Sequence, residues 1–212
     1  MTDTLTEREF LPGTTGWSVD DLDDPAIEAL WNAGKYEIVE GVLTTMPPAY
    51  YDGSFALKKL IKLIDRHLEQ NDPEGEVVQE VDLVLAKRRV PVVDAIYLSP
   101  KDRERAKAAH AGRGGRGAGG ELKYGRITIP PTLVIESMSK GHESHDREVK
   151  RRWYEEAGVP NYWLLDALTR SLECLVLEAG SYRKDVSGQH DAELRPALFP
   201  GLIIPLGTLW VR

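Results

Sequence analysis

The chain has 212 residues and one cysteine, Cys174, which rules out an internal disulfide and any cysteine-based zinc site. Cys174 lies in the apolar run "LECLVLE", where a buried, unreactive thiol is expected. No window approaches the roughly 18 consecutive apolar residues of a membrane-crossing helix. The opening "MTDTLTEREFLPGTTGW" carries acids where a signal peptide would carry a basic and then an apolar run, so a cytoplasmic protein with no membrane partner is expected. Positive charge is also scarce. Lys and Arg number 27 against 34 Asp and Glu, a formal net charge of -7, which argues against tight non-specific binding of nucleic acid through broad basic surfaces. It leaves room for acids gathered round a metal, because a bound divalent cation reverses the local sign.

The composition is 42% hydrophobic and 29% charged, ordinary for a globular protein of one substantial core. Residues 1–22 read as a polar, loosely attached extension, and 23–212 as a single domain. Asp24-Pro25 ahead of Ile27, Leu30 and Trp31, with Gly34 after them, predicts a short capped helix. "KYEIVEGVLTTM" predicts a hairpin turning at Glu40-Gly41. From Ser54, the spacing of Leu57, Leu60, Ile61, Ile64 and Leu68 predicts a helix with one face on a sheet. "EVVQEVDLVLA" reads as a strand with Val77, Val81, Leu83 and Leu85 on one side and Glu80 and Asp82 on the other. "VPVVDAIYLS" and "RITIPPTLVIESMS" predict two further strands, with a basic helical turn and a flexible Gly/Arg loop, about 111–120, between them. A helix is expected from about 144 to 157, stopped by Gly158. Two strands round a turn at 166–170 follow, then short strands. The order implies an α/β (α+β) fold with one mixed central β-sheet flanked by helices.

Two acids interrupt otherwise apolar strands, Asp94 in "VPVVDAIYL" and Glu136 in "TLVIESM". Either alone could be a strand-end acid turned to solvent. If the strands are neighbours, the two carboxylates can converge, and their repulsion then calls for a cation between them. Hard oxygen ligands suit Mg²⁺ or Mn²⁺. On the helix after Glu136, positions 146, 150, 153, 154 and 157 share one face, with Trp153 expected to pack on the sheet and hold Lys150 within reach of Glu136. A solvated basic face including Lys150 is the plainer reading of "REVKRRW".

"YEIVEGVLTTMPP", "VPVVDAIYLS", "LVIESMSKGHESHDREVKRRWYEEAGVPNYWLLD" and "PGLIIPLGTLW" together resemble the Uma2 family of restriction-endonuclease-like proteins, a branch of the PD-(D/E)XK nuclease superfamily. The likeness covers about residues 35 to 210. It implies a restriction-endonuclease-like core, DNA as partner, and Asp94 and Glu136 as ligands of Mg²⁺ or Mn²⁺. Family members carry the first acid as Pro-Asp; here Val93 holds the proline position. The superfamily's lysine two residues after the glutamate corresponds to Met138, and the resemblance implies that Lys150 takes its place from the helix. Glu37 matches the acid in the family's "YE", although alternation sets it opposite Tyr36 and Ile38, which also fits an exposed strand glutamate. The family's histidine after the "MPP" segment has no counterpart near Gly53.

His142 and His145 are three apart before the helix, the wrong spacing for a helical zinc-protease motif, and "GRGGRGAGG" lacks the Gly-Lys-Ser/Thr ending of a phosphate loop. The expected activity is Mg²⁺- or Mn²⁺-dependent DNA cleavage, with catalytic residues Asp94, Glu136, Lys150 and Glu37, and a homodimer would bring two sites to two strands. Two alternatives remain open: a non-catalytic interaction protein that keeps the nuclease fold, and a metal-dependent hydrolase of small phosphate esters.

Overall fold

The computed structural model describes residues 9–46, 50–111, 126–138 and 145–211, with backbone alone for 110, 111 and 145–147. The Gly/Arg loop therefore lies outside the described residues, apart from its first residue.

Helix α1 (Pro25–Asn32) begins where the carboxylate of Asp24 accepts the Ala26 amide at 2.8 Å, with Pro25 preset for the first turn. Strands β1 (Tyr36–Val39) and β2 (Val42–Thr45) form the expected hairpin. Glu40 (φ 51°) and Gly41 (φ 82°) both adopt the left-handed conformation of a tight turn matched to strand twist. The expectation that residues 1–22 hang loosely does not hold for the described part from Glu9 to Leu22. Trp17 and Leu22 are each 1% exposed and join Trp31, Ile38, Leu43 and Val90 in a small core of their own. Backbone bonds fasten this segment: the Gly13 amide donates to Leu43 and the Trp17 amide to Gly41. Its apolar residues are too sparse for a periodic pattern, which is why composition alone made it look detached.

Helix α2 (Tyr51–Asn71) starts three residues before Ser54. The central sheet has six strands in sequential order: β3 (Glu76–Asp82), β4 (Val92–Leu98), β5 (Leu133–Ser137), β6 (Asn161–Asp166), β7 (Ser171–Glu178) and β8 (Ser181–Gln189). Among these strands β5 and β6 run parallel while the other described neighbours are antiparallel, and α4 (Arg151–Ala157) lies on the crossover between them. β9 (Glu193–Leu194) and β10 (Ile204–Pro205) form a small separate pair. The mixed α/β architecture is thus the expected one. Leu60, Ile64 and Leu68 of α2 pack against Ala95, Leu133, Ile135 and Trp163 on one face of the sheet. The other face joins Ile96, Val134, Met138, Tyr162 and Leu164 to Tyr154 of α4. Cys174 is buried as expected, and desolvation pushes its thiol well up, so it stays an unreactive part of the core.

Where the sequence suggests only a basic turn, Pro100–Ala111 forms a 12-residue helix, α3. Its start is fixed by Asp102, whose Oδ2 accepts from Ser99 Oγ (2.9 Å) and from the Thr132 amide (3.0 Å) at the entrance to β5. Among the described residues no helix is long and apolar enough to cross a membrane.

Candidate active site

The alternation of β3 changes phase at Glu80, a non-glycine residue at φ 50°. Val77 therefore packs toward α2, while Val81, Leu83 and Leu85 pack toward the opposite face, which corrects the expectation of one shared side. Glu80 itself pairs with Lys35 at 2.7 Å on the surface and takes no part in the site. The neighbouring strand shows the same phase change, with Val93 and Ile96 on one face and Ala95 and Tyr97 on the other. Asp94 sits in that irregular stretch. It is half-buried, and its Oδ2 accepts the Ser137 amide at 2.6 Å. β4 and β5 are antiparallel neighbours with Ala95 opposite Ile135, so one residue further along each strand Asp94 falls across from Glu136.

Glu136 is 2% exposed. Its Oε1 accepts the Tyr154 hydroxyl at 2.6 Å and lies 3.1 Å from the Lys150 ammonium. The same ammonium is 3.3 Å from Oε1 of Glu37, which also accepts the Val92 amide at 3.1 Å. Lys150 is 5% and Glu37 8% exposed. The sequence alternatives for these two, a solvated basic face and an exposed strand glutamate, are therefore not what the structure adopts. The hairpin, the entrance to β4, the end of β5 and the turn before α4 meet at one cluster.

Lys150 ends a π-helical turn, His145–Lys150, and α4 follows directly. A π turn carries an extra residue per turn and is often found at functional sites. Lys150 and Tyr154, four residues apart, both converge on Glu136 Oε1. Trp153 has polar contacts that its position on the helix does not announce. It is buried, and its indole N–H is turned to the hairpin, where it donates to Glu40 (3.2 Å), with Arg89 5.5 Å from its ring. Met138, in the usual lysine position of the resemblance, is 5% exposed among apolar residues.

Among the described residues two carboxylates, those of Glu37 and Glu136, face the one Lys150 ammonium, with Asp94 close by. Burial, with the Glu136 charge behind it, pushes the Tyr154 hydroxyl well above its ordinary range, so it remains a donor. Sequence reasoning placed Tyr154 on the Lys150 face without giving it a role; its spacing from Lys150 was the available signal. In the sequence Asp82 is only one member of a polar strand face. Its Oδ2 accepts the Trp31 indole N–H at 2.7 Å with Arg126 3.7 Å away, and its carboxyl is shifted upward first by desolvation and less by the charge of Glu37.

Among the described residues no three His, Cys, Asp or Glu side chains gather as a metal cage. The hard-oxygen pair Asp94 and Glu136 nonetheless fits the chemistry of Mg²⁺ or Mn²⁺, since Mg²⁺ commonly takes one or two carboxylates and keeps several waters. His142 lies outside the described residues, as does the side chain of His145.

The architecture is of the mixed α/β class, a six-stranded central sheet flanked by helices. A crystal structure described as "a putative nuclease belonging to DUF820 from Anabaena variabilis ATCC 29413" is similar over 82% of this chain and 88% of that chain, with a TM-score of 0.61 and 15% identity, a likeness of fold. The model of the Uma2 family, described as "Putative restriction endonuclease", matches residues 26–207, and the chain belongs to that family. Comparison with curated proteins finds no match.

Proposed function

We propose that the protein is a Mg²⁺- or Mn²⁺-dependent endonuclease that hydrolyses phosphodiester bonds of DNA. The observation that carries this reading is the buried Lys150 ammonium between Glu37 and Glu136, one strand away from Asp94. Asp94 and Glu136 would hold the cation. Such a cation, when bound, polarises a phosphoryl oxygen and lowers the pKa of a coordinated water. Lys150 would stabilise negative charge on the attacked phosphate, a role suited to an ammonium held in a site of low dielectric. Glu37 positions that ammonium. Tyr154 fixes the orientation of Glu136 through its hydroxyl.

The test is plasmid cleavage with Mg²⁺ or Mn²⁺ by wild type, Asp94→Ala, Glu136→Ala and Lys150→Met, each checked for folding by circular dichroism. Cleavage by wild type, lost in all three folded variants, is the expected result. The same background from all four proteins would sink the reading. Cutting both strands would be helped by a homodimer, which light scattering with and without a duplex can address.

A second reading, an interaction protein that keeps the nuclease fold, is favoured by one observation. Lys150 already has two carboxylate partners, so the cluster also works as an ionic clamp between hairpin, sheet and helix. Calorimetry separates the two, because a clamp alone takes up no Mn²⁺.

A further inference from the structure

The exposed side of α2 has a composition unlike the acidic chain around it. Tyr51, Phe55, Lys58 and Lys62 follow one another at helical spacing, with Ser54 and Lys59 beside them, and together they line a shallow groove of about 530 Å³. Tyr51 is 72% exposed, and its ring lies 6.1 Å from that of Phe55 at 33°. The Lys59 ammonium lies 5.3 Å from the Phe55 ring centre. None of the three lysines pairs with a carboxylate among the described residues. The stripe ends toward the helix C-terminus, where Asp65 and Glu69 share that side and repel one another.

Its position relative to the site is fixed by a close approach. A Cβ on Gly53 would come within 2.9 Å of Ser137 Oγ, so the first turn of α2 rests on the residue after Glu136. The groove therefore begins near the C-terminal end of β5, on the face of the sheet opposite the Glu136 carboxylate, and runs away from it along the helix.

We infer that this groove binds a single strand of nucleic acid, with the phosphates on Lys58, Lys59 and Lys62 and an unstacked base on Tyr51 and Phe55. Two features select this occupant. The lysines complement phosphate in a protein of net charge -7, and the exposed Tyr51 ring beside the half-buried Phe55 offers a stacking platform that the paired bases of a duplex cannot use. The binding itself does not rest on the nuclease reading.

The experiment is fluorescence anisotropy of the full chain with a labelled oligothymidine and with a duplex of equal length, in EDTA so that binding is read without cleavage. The single strand should bind more tightly than the duplex. Tyr51→Ala should weaken single-strand binding about tenfold, given the usual worth of one stacked base. The double variant Lys58→Ala/Lys62→Ala should lower the salt slope by about 1.4, at ~0.7 per phosphate contact on a single strand. Lys58→Arg/Lys62→Arg should keep both affinity and slope, and Lys184→Ala on β8 should bind as wild type. Unchanged binding in the Tyr51 and lysine variants, or tighter binding of the duplex, would overturn the inference. Groove-dependent binding by a protein that cuts nothing would uphold it while removing the nuclease reading.

Discussion

The ammonium of Lys150 lies 3.1 Å from Glu136 Oε1, with both side chains buried, across a separation of fourteen residues. A strand residue and a helix residue meet because β5 ends at Ser137 and the π-helical turn delivers Lys150 just ahead of α4. Such an ion pair contributes little net stability, since desolvation offsets the attraction, but losing one partner is costly. That asymmetry makes the cluster testable apart from any catalysis.

Lys150→Met should destabilise the fold by about 3 kcal/mol, as expected when a buried ion pair loses one partner and leaves the other charge uncompensated. Here two carboxylates are left behind. Adding Glu37→Gln should recover roughly half of the loss, because one buried charge is then removed. Urea unfolding at neutral pH reads both. An unchanged midpoint in Lys150→Met would mean that the ammonium is solvated in solution.

The acids were legible in the sequence because a carboxylate inside an apolar strand is conspicuous. Lys150 was less so: "REVKRRW" holds several equivalent cations, and the resemblance to a family singled one out. Glu37 could not be read as buried, because Val92, whose amide it accepts, lies 55 residues away. The phase change at Glu80 was invisible for a related reason, since a positive φ at a glutamate leaves no mark in hydrophobic alternation. The contacts of Trp153 with Glu40 and Arg89 were not legible either, because both partners are distant in sequence.

Tyr154→Phe removes a hydroxyl that donates to a buried carboxylate, a loss of about 1.5 kcal/mol for a bond to a charged group. The wild-type chain should also show alkaline sensitivity. Burial raises the hydroxyls of both Tyr154 and Tyr182 in the folded state, so the fold favours their neutral forms. Their contribution is intact below the ordinary tyrosine value of 10, and is lost as pH rises from there toward the folded values. Phenolate absorbance and the helical signal followed together should therefore change cooperatively above about pH 10, since these rings ionise only as the structure opens. Phenolate signal from Tyr154 or Tyr182 in a fully helical protein would contradict the packing.

Arg89 joins the hairpin to α4 by pairing with both Glu40 and Glu156 and by covering the Trp153 ring. Arg89→Ala should cost about 1 kcal/mol, mostly from lost packing over the indole, because partly exposed ion pairs contribute little. Tryptophan emission should shift to the red as Trp153 gains water. If cleavage is established, its rate should fall as well, because the hairpin that carries Glu37 is then less firmly held against α4.

Met138 stands two residues after Glu136, just past the end of β5, buried among apolar side chains. A lysine there would approach Glu136 along the strand, where Lys150 now approaches from the helix side. Met138→Lys alone should destabilise the protein, because it adds a second buried ammonium beside a carboxylate already engaged. In Lys150→Met the same change should do the opposite. The vacated place accepts the methionine side chain, a buried cation returns, and at least half of the lost stability should come back. The two substitutions would then be strongly non-additive, as expected of residues that share one partner. A thermodynamic cycle from urea unfolding measures this directly. Additive losses would mean that position 138 cannot reach Glu136, and that the lysine on the helix is a separate solution, not a displaced version of one on the strand.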